Sequence, residues 1–351
     1  MLRKVYYSIW NAAIFTIAAS LILCACTKEK ETKGEELVLK ATAATKGTEI
    51  TNETLNEICV TAVCSDYKKN EFNDISELFS SFLFKNVSFI RDGELFRSYP
   101  SYYIPKDNRI VILVATAPSE KELGAKMEWD IGEQYEGNID LRLRDFKPKK
   151  NIADQVEFLY GVGAVSYITD AVQYGEIILE HMLAQVSISA TNSNSNYIYN
   201  VKGVRLCELC GKASLVTNIK WELSEEKATY EDVYEIPVTL QSNAQSIIHP
   251  DSGNAFVIPQ VLTPWNPEED PRNINKGAYI SVKLQITNNA GEQVFPSTPG
   301  EYEWIAIPFN QVLNEGGNHN IVLDFTNGAG YTAPTSTNPG IKVLGGIIQI
   351  Q

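Results

Sequence analysis

The sequence predicts an all-β protein made of two sandwich domains in tandem behind an N-terminal leader, and three observations carry that expectation. Apolar and polar residues alternate with a period of two in segment after segment, the pattern of half-buried strands. Aromatic and β-branched residues are plentiful, with 17 Tyr and 13 Phe in 351 residues, while long helical periodicities are few. The length suits two domains, each large enough for a core of its own.

Residues 1–25 open with Arg3 and Lys4, run through a mostly apolar stretch from Val5 to Leu23 and end in small residues, the layout of a secretory signal peptide. Ser8, Asn11 and Thr16 interrupt the run and no stop-transfer pattern follows, which argues against a permanent transmembrane helix. Within "LILCACTKEK", Cys26 has a small residue directly before it and Leu23 three before it, as a bacterial lipoprotein signal requires, whereas Cys24 follows the bulky Leu23. Cys26 is therefore the expected lipid-attachment site, and an ordinary cleaved signal with a spare thiol is the alternative. Each buried methylene contributes about 0.8 kcal/mol, so a multiply acylated cysteine would tie the chain firmly to a membrane. The formal net charge of −13 becomes more negative once the leader leaves, since it holds two cations and no acid. Such a balance repels phosphate backbones, so nucleic acid is not an expected partner.

The elements follow in order. In "ELVLKATAATKGTEI", Leu37, Leu39, Ala41 and Ala43 alternate with Val38, Lys40 and Thr42, a first strand that breaks into a loop carrying Lys46. "NEICVTAVCSDY" reads as a second strand. "NDISELFSSFLFKN" places Ile75, Leu78, Phe79, Phe82 and Leu83 at helical spacing behind Asn73 and Asp74, which predicts a short amphipathic helix. "RIVILVATAP" is apolar on both faces and should be a strand covered on both sides. Signals thin out over residues 147–180, where a packed junction is expected; the domains are taken as 26–175 and 176–351. In the second half "AYISVKLQITNNAGEQV" puts Ile280, Val282, Leu284 and Ile286 on one face and then turns at Asn288 to Gly291, a strand entering a hairpin. "NYIYNVKGVRL", "YEWIAIPF" and "HNIVLDFTNG" repeat that theme.

Signs of chemistry are few. His181, His249 and His319 stand apart from any nucleophile motif, and the sequence contains no G-x-S-x-G, H-E-x-x-H or P-loop pattern. Cys207 and Cys210 have the spacing of half a zinc knuckle, with Cys59 and Cys64 as the other half. A C-x4-C spacing inside an apolar strand, however, turns its two thiols to opposite faces, which favours buried or turn thiols, with a local disulfide next and a zinc site last. "NPEEDPRN" gathers Glu268, Glu269 and Asp270 without the alternating spacing of a calcium loop. No enzyme, cofactor or metal is expected.

Four stretches, "YYIPKDNRIVILVATAP" (102–118), "DQVEFLYGVGAV" (154–165), "LEHMLAQVSISA" (179–190) and "FVIPQVLTPWNP" (256–267), resemble in this order the fimbrillin family, the lipoprotein-derived subunits of type V pili in Bacteroidetes. "YEWIAIPF" and "VLDFTNGAGYTAP" fit more loosely. The resemblance implies two transthyretin-like Greek-key sandwiches, with a short helix expected in the first, exported to the outer membrane as a lipoprotein. It also implies that a protease cuts behind the first strand after a basic residue, that this strand leaves, and that a neighbouring subunit supplies its replacement. On this chain the departing strand would be Glu36 to Lys46, with Lys46 as the cut site where the family often shows arginine. The candidate donor is "GIKVLGGIIQIQ", with Ile341 and Val343, then Ile348 and Ile350, on either side of a Gly345-Gly346 bend; the same tail could instead complete its own sandwich. Family members commonly continue to a tryptophan-containing end, and stopping at Gln351 would suit a tip or anchor subunit or a short variant. The expected function is that of a structural or adhesive pilus subunit at the cell surface, joined to other subunits by strand addition. A surface lipoprotein that does not polymerise, and binds a glycan or host protein, is the alternative; it predicts an aromatic platform at a loop end of this chain, for which Trp129, Trp221, Trp265 and Trp304 are available, with Trp265 and Trp304 expected in the core because they lie in the stretches that resemble the family.

Overall fold

The computed structural model of the chain describes residues 35–44, 50–65, 79–106, 109–131, 139–167, 174–216, 220–334, 339–344 and 348–350. The fold is all-β, as the alternation predicts. In the N-terminal half, β1 (Leu39–Ala43), β2 (Glu57–Ser65), β3 (Phe79–Asp92), β4 (Leu95–Ser98) and β5 (Ile110–Ala117) are followed by β6 (Lys126–Ile131) and β7 (Ile139–Phe146), then β8 (Leu159–Ser166) and β9 (Gly175–His181). Seven of these pair in the order β1-β4-β3-β2-β5-β8-β9, and the pairing closes on itself because β9 also bonds β1, in parallel. Inside lie Ile58, Val60, Ala62 and Cys64 of β2, Val111, Leu113 and Ala115 of β5, and Phe89, Phe96, Ile177 and Leu179. β5 is covered on both sides, since Ile112 and Val114 pack into a second cluster outside the ring.

The helix expected over residues 73–83 does not form where the chain is described: Phe79, Phe82 and Leu83 lie in β3, and residues 71–78 are outside the described residues. The spacing is helical, but "FSSFLF" is rich in strand formers, and β3 pairs Phe82 with Val63 and Phe84 with Ala62, so a ladder partner overrides the local period. Among the described residues of this half a short α-helix, α1 (Glu120–Leu123), buries Leu123 and ends at the left-handed Gly124.

The C-terminal half is a sandwich. One sheet contains β10 (Ala184–Thr191), β15 (Gln245–Ser246), β22 (Asn318–Asp324) and β24 (Gln349–Ile350), with β16 (Ala255–Val257) also on β10. The other holds β11 (Tyr197–Cys210), β14 (Lys227–Thr239), β18 (Tyr279–Asn288), β20 (Glu303–Pro308) and β23 (Tyr331–Thr332), with β19 (Gln293–Phe295) on β18. β17 (Gln260–Val261) and β21 (Val312–Leu313) form a separate ribbon. Val186, Ile188, Ile321 and Leu323 of the first sheet share one core with Val201, Val204, Leu206, Ile280, Val282, Leu284 and Ile286 of the second, so the predicted inward face of β18 is the buried one.

The halves are joined by hydrogen bonds. β12 (Ala213–Val216) and β13 (Lys220–Leu223) extend β7 and β6 into a four-stranded sheet that contains chain from both sides of the middle of the sequence. Its core brings Met127, Leu143, Phe146 and Phe158 together with Met182, Leu183, Leu215, Trp221 and Phe256.

Candidate functional site: the first strand and its groove

β1 exists because its sequence suits a groove that needs filling. Leu37, Leu39, Ala41 and Ala43 point inward and are buried, while Lys40 and Thr42 stay partly exposed. The two leucines alone contribute about 3–6 kcal/mol of burial, of the order of a whole domain's net stability. β1 runs parallel to β9 in register from Leu39↔Gly175 to Ala43↔Leu179, and meets β4 at Leu39↔Phe96. Beyond the strand the Leu37 amide donates to Tyr102 O at 2.8 Å, and the Ile104 amide donates to Glu35 O at 2.9 Å. β1 is thus the strand that closes the ring, and taking it out would leave apolar walls and unpaired backbone on both sides.

Two close approaches fix this geometry. Gly175 opposes Leu39, and a Cβ there would stand 2.4 Å from Leu113 Cδ1 and 3.0 Å from Leu39 Cδ2. β8 pairs with β9 at Leu159↔His181 and Tyr160↔Glu180, after which β9 passes over Gly161 and Gly163. A Cβ on either would lie 2.3 Å from a β9 carbonyl oxygen, so only glycine lets β9 reach β1.

The ends of β1 are held differently. At its start, Arg97 bonds Glu36 at 2.8 Å and Asp92 at 3.0 Å, both part-exposed pairs, and Ser101 Oγ donates to Glu36 at 2.8 Å. At its finish the Ala43 amide donates to Asn52 Oδ1 at 2.8 Å and the Ala44 amide to Leu179 O at 2.8 Å. There, too, His181 is buried against Glu157: Nδ1 meets Glu157 Oε1, and Nε2 lies 2.8 Å from Ala44 O. Glu157 Oε2 accepts from the Ile50 amide at 3.0 Å. Burial works against a charged ring, but the Glu157 carboxyl, the Ala44 carbonyl and Glu180 outweigh it, so the pKa of His181 lies above the ordinary histidine value. In the sequence His181 stands only as a histidine apart from any nucleophile motif, and nothing there marks Glu157 as its partner. The signal that marks them is an ionisable residue at an inward position, seen once β9 is read as Gly175, Ile177, Leu179 and His181 pointing in.

Lys46, the candidate cut site, and Cys26, the lipid-attachment candidate, lie outside the described residues. Of the donor candidates, Val343 and Ile348 are buried in the C-terminal core, whereas Ile341 and Ile350 are 63% and 37% exposed. β24 pairs with β22 at Leu323↔Ile350 and Asp324↔Gln349, and the Val343 amide donates to Gly330 O at 2.8 Å. In this structure the tail completes its own sandwich.

Other candidates are structural. Cys59, Cys64, Cys207 and Cys210 are all buried, and burial pushes the Cys59 and Cys207 thiols up to about 11, far from a reactive thiolate. Cys64 faces the ring interior with Ile58, Val60 and Ala62, and Cys59 does not, the opposite-face arrangement that the spacing suggests. Among the described residues no group of three or more His, Cys, Asp or Glu is placed to hold a metal. Trp221 and Trp265 are buried, and Trp304 lies with the Arg205 guanidinium 3.8 Å over its ring.

No family model and no curated protein matches the chain. Among solved structures, the chain is similar to a fimbrial protein from Bacteroides vulgatus ATCC 8482, with a TM-score of 0.57 at 13% identity over 90% of this chain and 98% of that one. The fimbrial anchor protein Mfa2 from Porphyromonas gingivalis aligns at a TM-score of 0.31 and 13% identity over 83% of this chain and 90% of that one, too distant to carry weight. At this identity the likeness concerns architecture: the chain has the all-β fold of the Bacteroides vulgatus fimbrial protein along nearly its whole length.

Proposed function

We propose that this chain is a structural or adhesive subunit of a cell-surface pilus, exported to the outer membrane as a lipoprotein through Cys26 and assembled by exchange of its first strand. The observation that carries this reading is β1 itself, which closes the N-terminal ring, fills its groove with Leu37, Leu39, Ala41 and Ala43, and is followed in sequence by residues 45–49, which include Lys46. A cut there followed by loss of β1 exposes a groove whose unpaired N–H and C=O groups demand a strand from another subunit. The fold shared with a fimbrial protein supports the same reading. Partners are then other pilus subunits, the membrane at the lipid, and a host or bacterial surface receptor; catalysis has no part in it.

A second reading has one observation in its favour. Val343 and Ile348 lie in this chain's own core, which suits a surface lipoprotein that keeps its strands and binds a glycan or host protein without polymerising. The intact mass and N-terminal sequence of the protein from cell surfaces and from sheared filaments decide between them. A filament form that begins at Gly47 and lacks lipid is the expected result. A lipidated Cys26 in every fraction would sink strand exchange in favour of the second reading.

A further inference from the structure

Glu157 and His181 are both buried, their side chains each 3% exposed, and His181 closes the end of β9 that runs beside β1. Together they touch the main chain at two points. His181 Nε2 lies against Ala44 O, and Glu157 Oε2 accepts from the Ile50 amide, so the pair touches the chain on both sides of residues 45–49. Both ring nitrogens therefore face acceptors, the Glu157 carboxyl at Nδ1 and the Ala44 carbonyl at Nε2. A neutral imidazole has one N–H and one lone pair. Both contacts are satisfied only while the pair holds one extra proton between Nδ1 and Glu157 and the ring keeps a second on Nε2. When that extra proton leaves, one of the two contacts becomes lone pair against lone pair, a loss that weighs most where the contact is buried, between Nδ1 and Glu157.

We propose that Glu157 and His181 form a proton-governed clasp on the first strand, closed while the pair keeps its shared proton and released when that proton is lost. With the clasp closed, Ala44 and Ile50 are pinned and β1 stays seated; with it open, the strand frays from its C-terminal end. The use of such a clasp in assembly rests on the strand-exchange reading, but its chemistry does not.

The sign follows from the raised pKa of His181. The proton's contribution is fully present below the ordinary histidine value and is lost as pH rises through the higher folded-state value. Other ionisable groups bear on the ring. Glu180 neighbours it on β9 and favours the proton. The loop after β21 packs here as well, with the Gly316 amide donating to Leu183 O at 3.1 Å. Its Glu315 is pushed up to about 7 by desolvation of the carboxyl and by Glu180, although the residue as a whole is exposed, so its titration must be separated from that of the ring.

Hydrogen exchange on the intact chain, read by mass spectrometry from about pH 6 to about pH 9 and corrected for the intrinsic base-catalysed rate, tests the clasp. Protection of residues 37–44, measured against residues 184–191, should fall about tenfold or more across that range, the size of one charge-assisted hydrogen bond. Glu157→Gln should move the midpoint to lower pH, because burial then dominates the ring. Glu315→Gln should leave the midpoint in place, and His181→Gln should give a flat profile. A wild-type profile without a relative change, a midpoint indifferent to Glu157→Gln, or one that follows Glu315→Gln would overturn the proposal. Should the variants fail to fold, the wild-type ring titration by NMR is enough: a value at or below that of an ordinary histidine also overturns it. None of these readings involves a protease or a second subunit. Their failure therefore leaves the pilus reading standing, and a filament form that retains its first strand sinks that reading while the clasp survives.

Discussion

The two ends of the described chain are both candidate exchange strands, yet they are held in opposite ways. β1 is bonded on both edges, in parallel to β9 and antiparallel to β4, and its inward side chains belong to the core of the ring. The C-terminal tail touches its sheet through two register pairs and reaches the core with Val343 and Ile348 while Ile341 and Ile350 face out. Removing the tail would shorten an edge; removing β1 would open a ring. On the strand-exchange reading proposed above, β1 is the strand whose departure opens a ring and leaves a groove to refill.

Truncation at matched positions gives the largest test. Leu39→Ala should cost about 4 kcal/mol, since the site is closed on both edges and cannot collapse, whereas Ile348→Ala at the sheet edge should cost about 2 kcal/mol. Denaturant midpoints measure both, and equal losses would mean that the tail is as deeply built into the fold as β1.

Filling the groove from the other side is the next test. Gly175→Ala adds a methyl 2.4 Å from Leu113 Cδ1 and 3.0 Å from Leu39 Cδ2, both flexible side-chain ends, so a loss of about 1–3 kcal/mol is expected. Because the strain lies between β9 and β1, limited proteolysis should show the first strand lost sooner than in wild type. A variant as stable as wild type with β1 equally protected would mean that the strand is not seated against Gly175.

Much of this arrangement could be read from the residues alone. The inward set of β1, the two-sided burial of β5 and the core face of β18 all follow from alternation, because a strand's facing depends on its own residues. What alternation cannot reach is which strand lies beside which. β1 finds its parallel partner β9 far along the chain, and the sheet that unites β6 and β7 with β12 and β13 joins segments with no common pattern. Over residues 79–83 the expected helix gives way to β3 for the same reason, since a ladder with β2 outweighs a local period. Glu157 and His181 meet only in the folded chain, each unremarkable in its own segment. In the tail, strict alternation would give Ile341 and Val343 one face, but the chain there makes a single bridge, Lys342 to Tyr331, and Leu344 adopts a positive φ of 55°, so the two part.

The smallest effect concerns the asymmetry within β1. Its start is fastened at the surface by Arg97, whose guanidinium bonds Glu36 and Asp92 with side chains 30%, 35% and 66% exposed. Water and salt screen such pairs, and each side chain loses rotamer freedom to make them, so Arg97→Ala should cost no more than about 1 kcal/mol. Most of that difference should vanish in about 1 M salt, where the screening length is about 3 Å. Thermal melts at low and high salt measure it. A loss well above this range, or one that salt leaves untouched, would mean that the start of β1 is anchored as firmly as its finish. With the expected result, the charged side chains add little at the start of β1, which is held there by the burial of Leu37 and by main-chain bonds to Tyr102 and Ile104, while buried polar groups secure its finish. Release would then be decided at the finish, beside residues 45–49, and a cut there would separate β1 from the chain at the end where buried polar groups hold it.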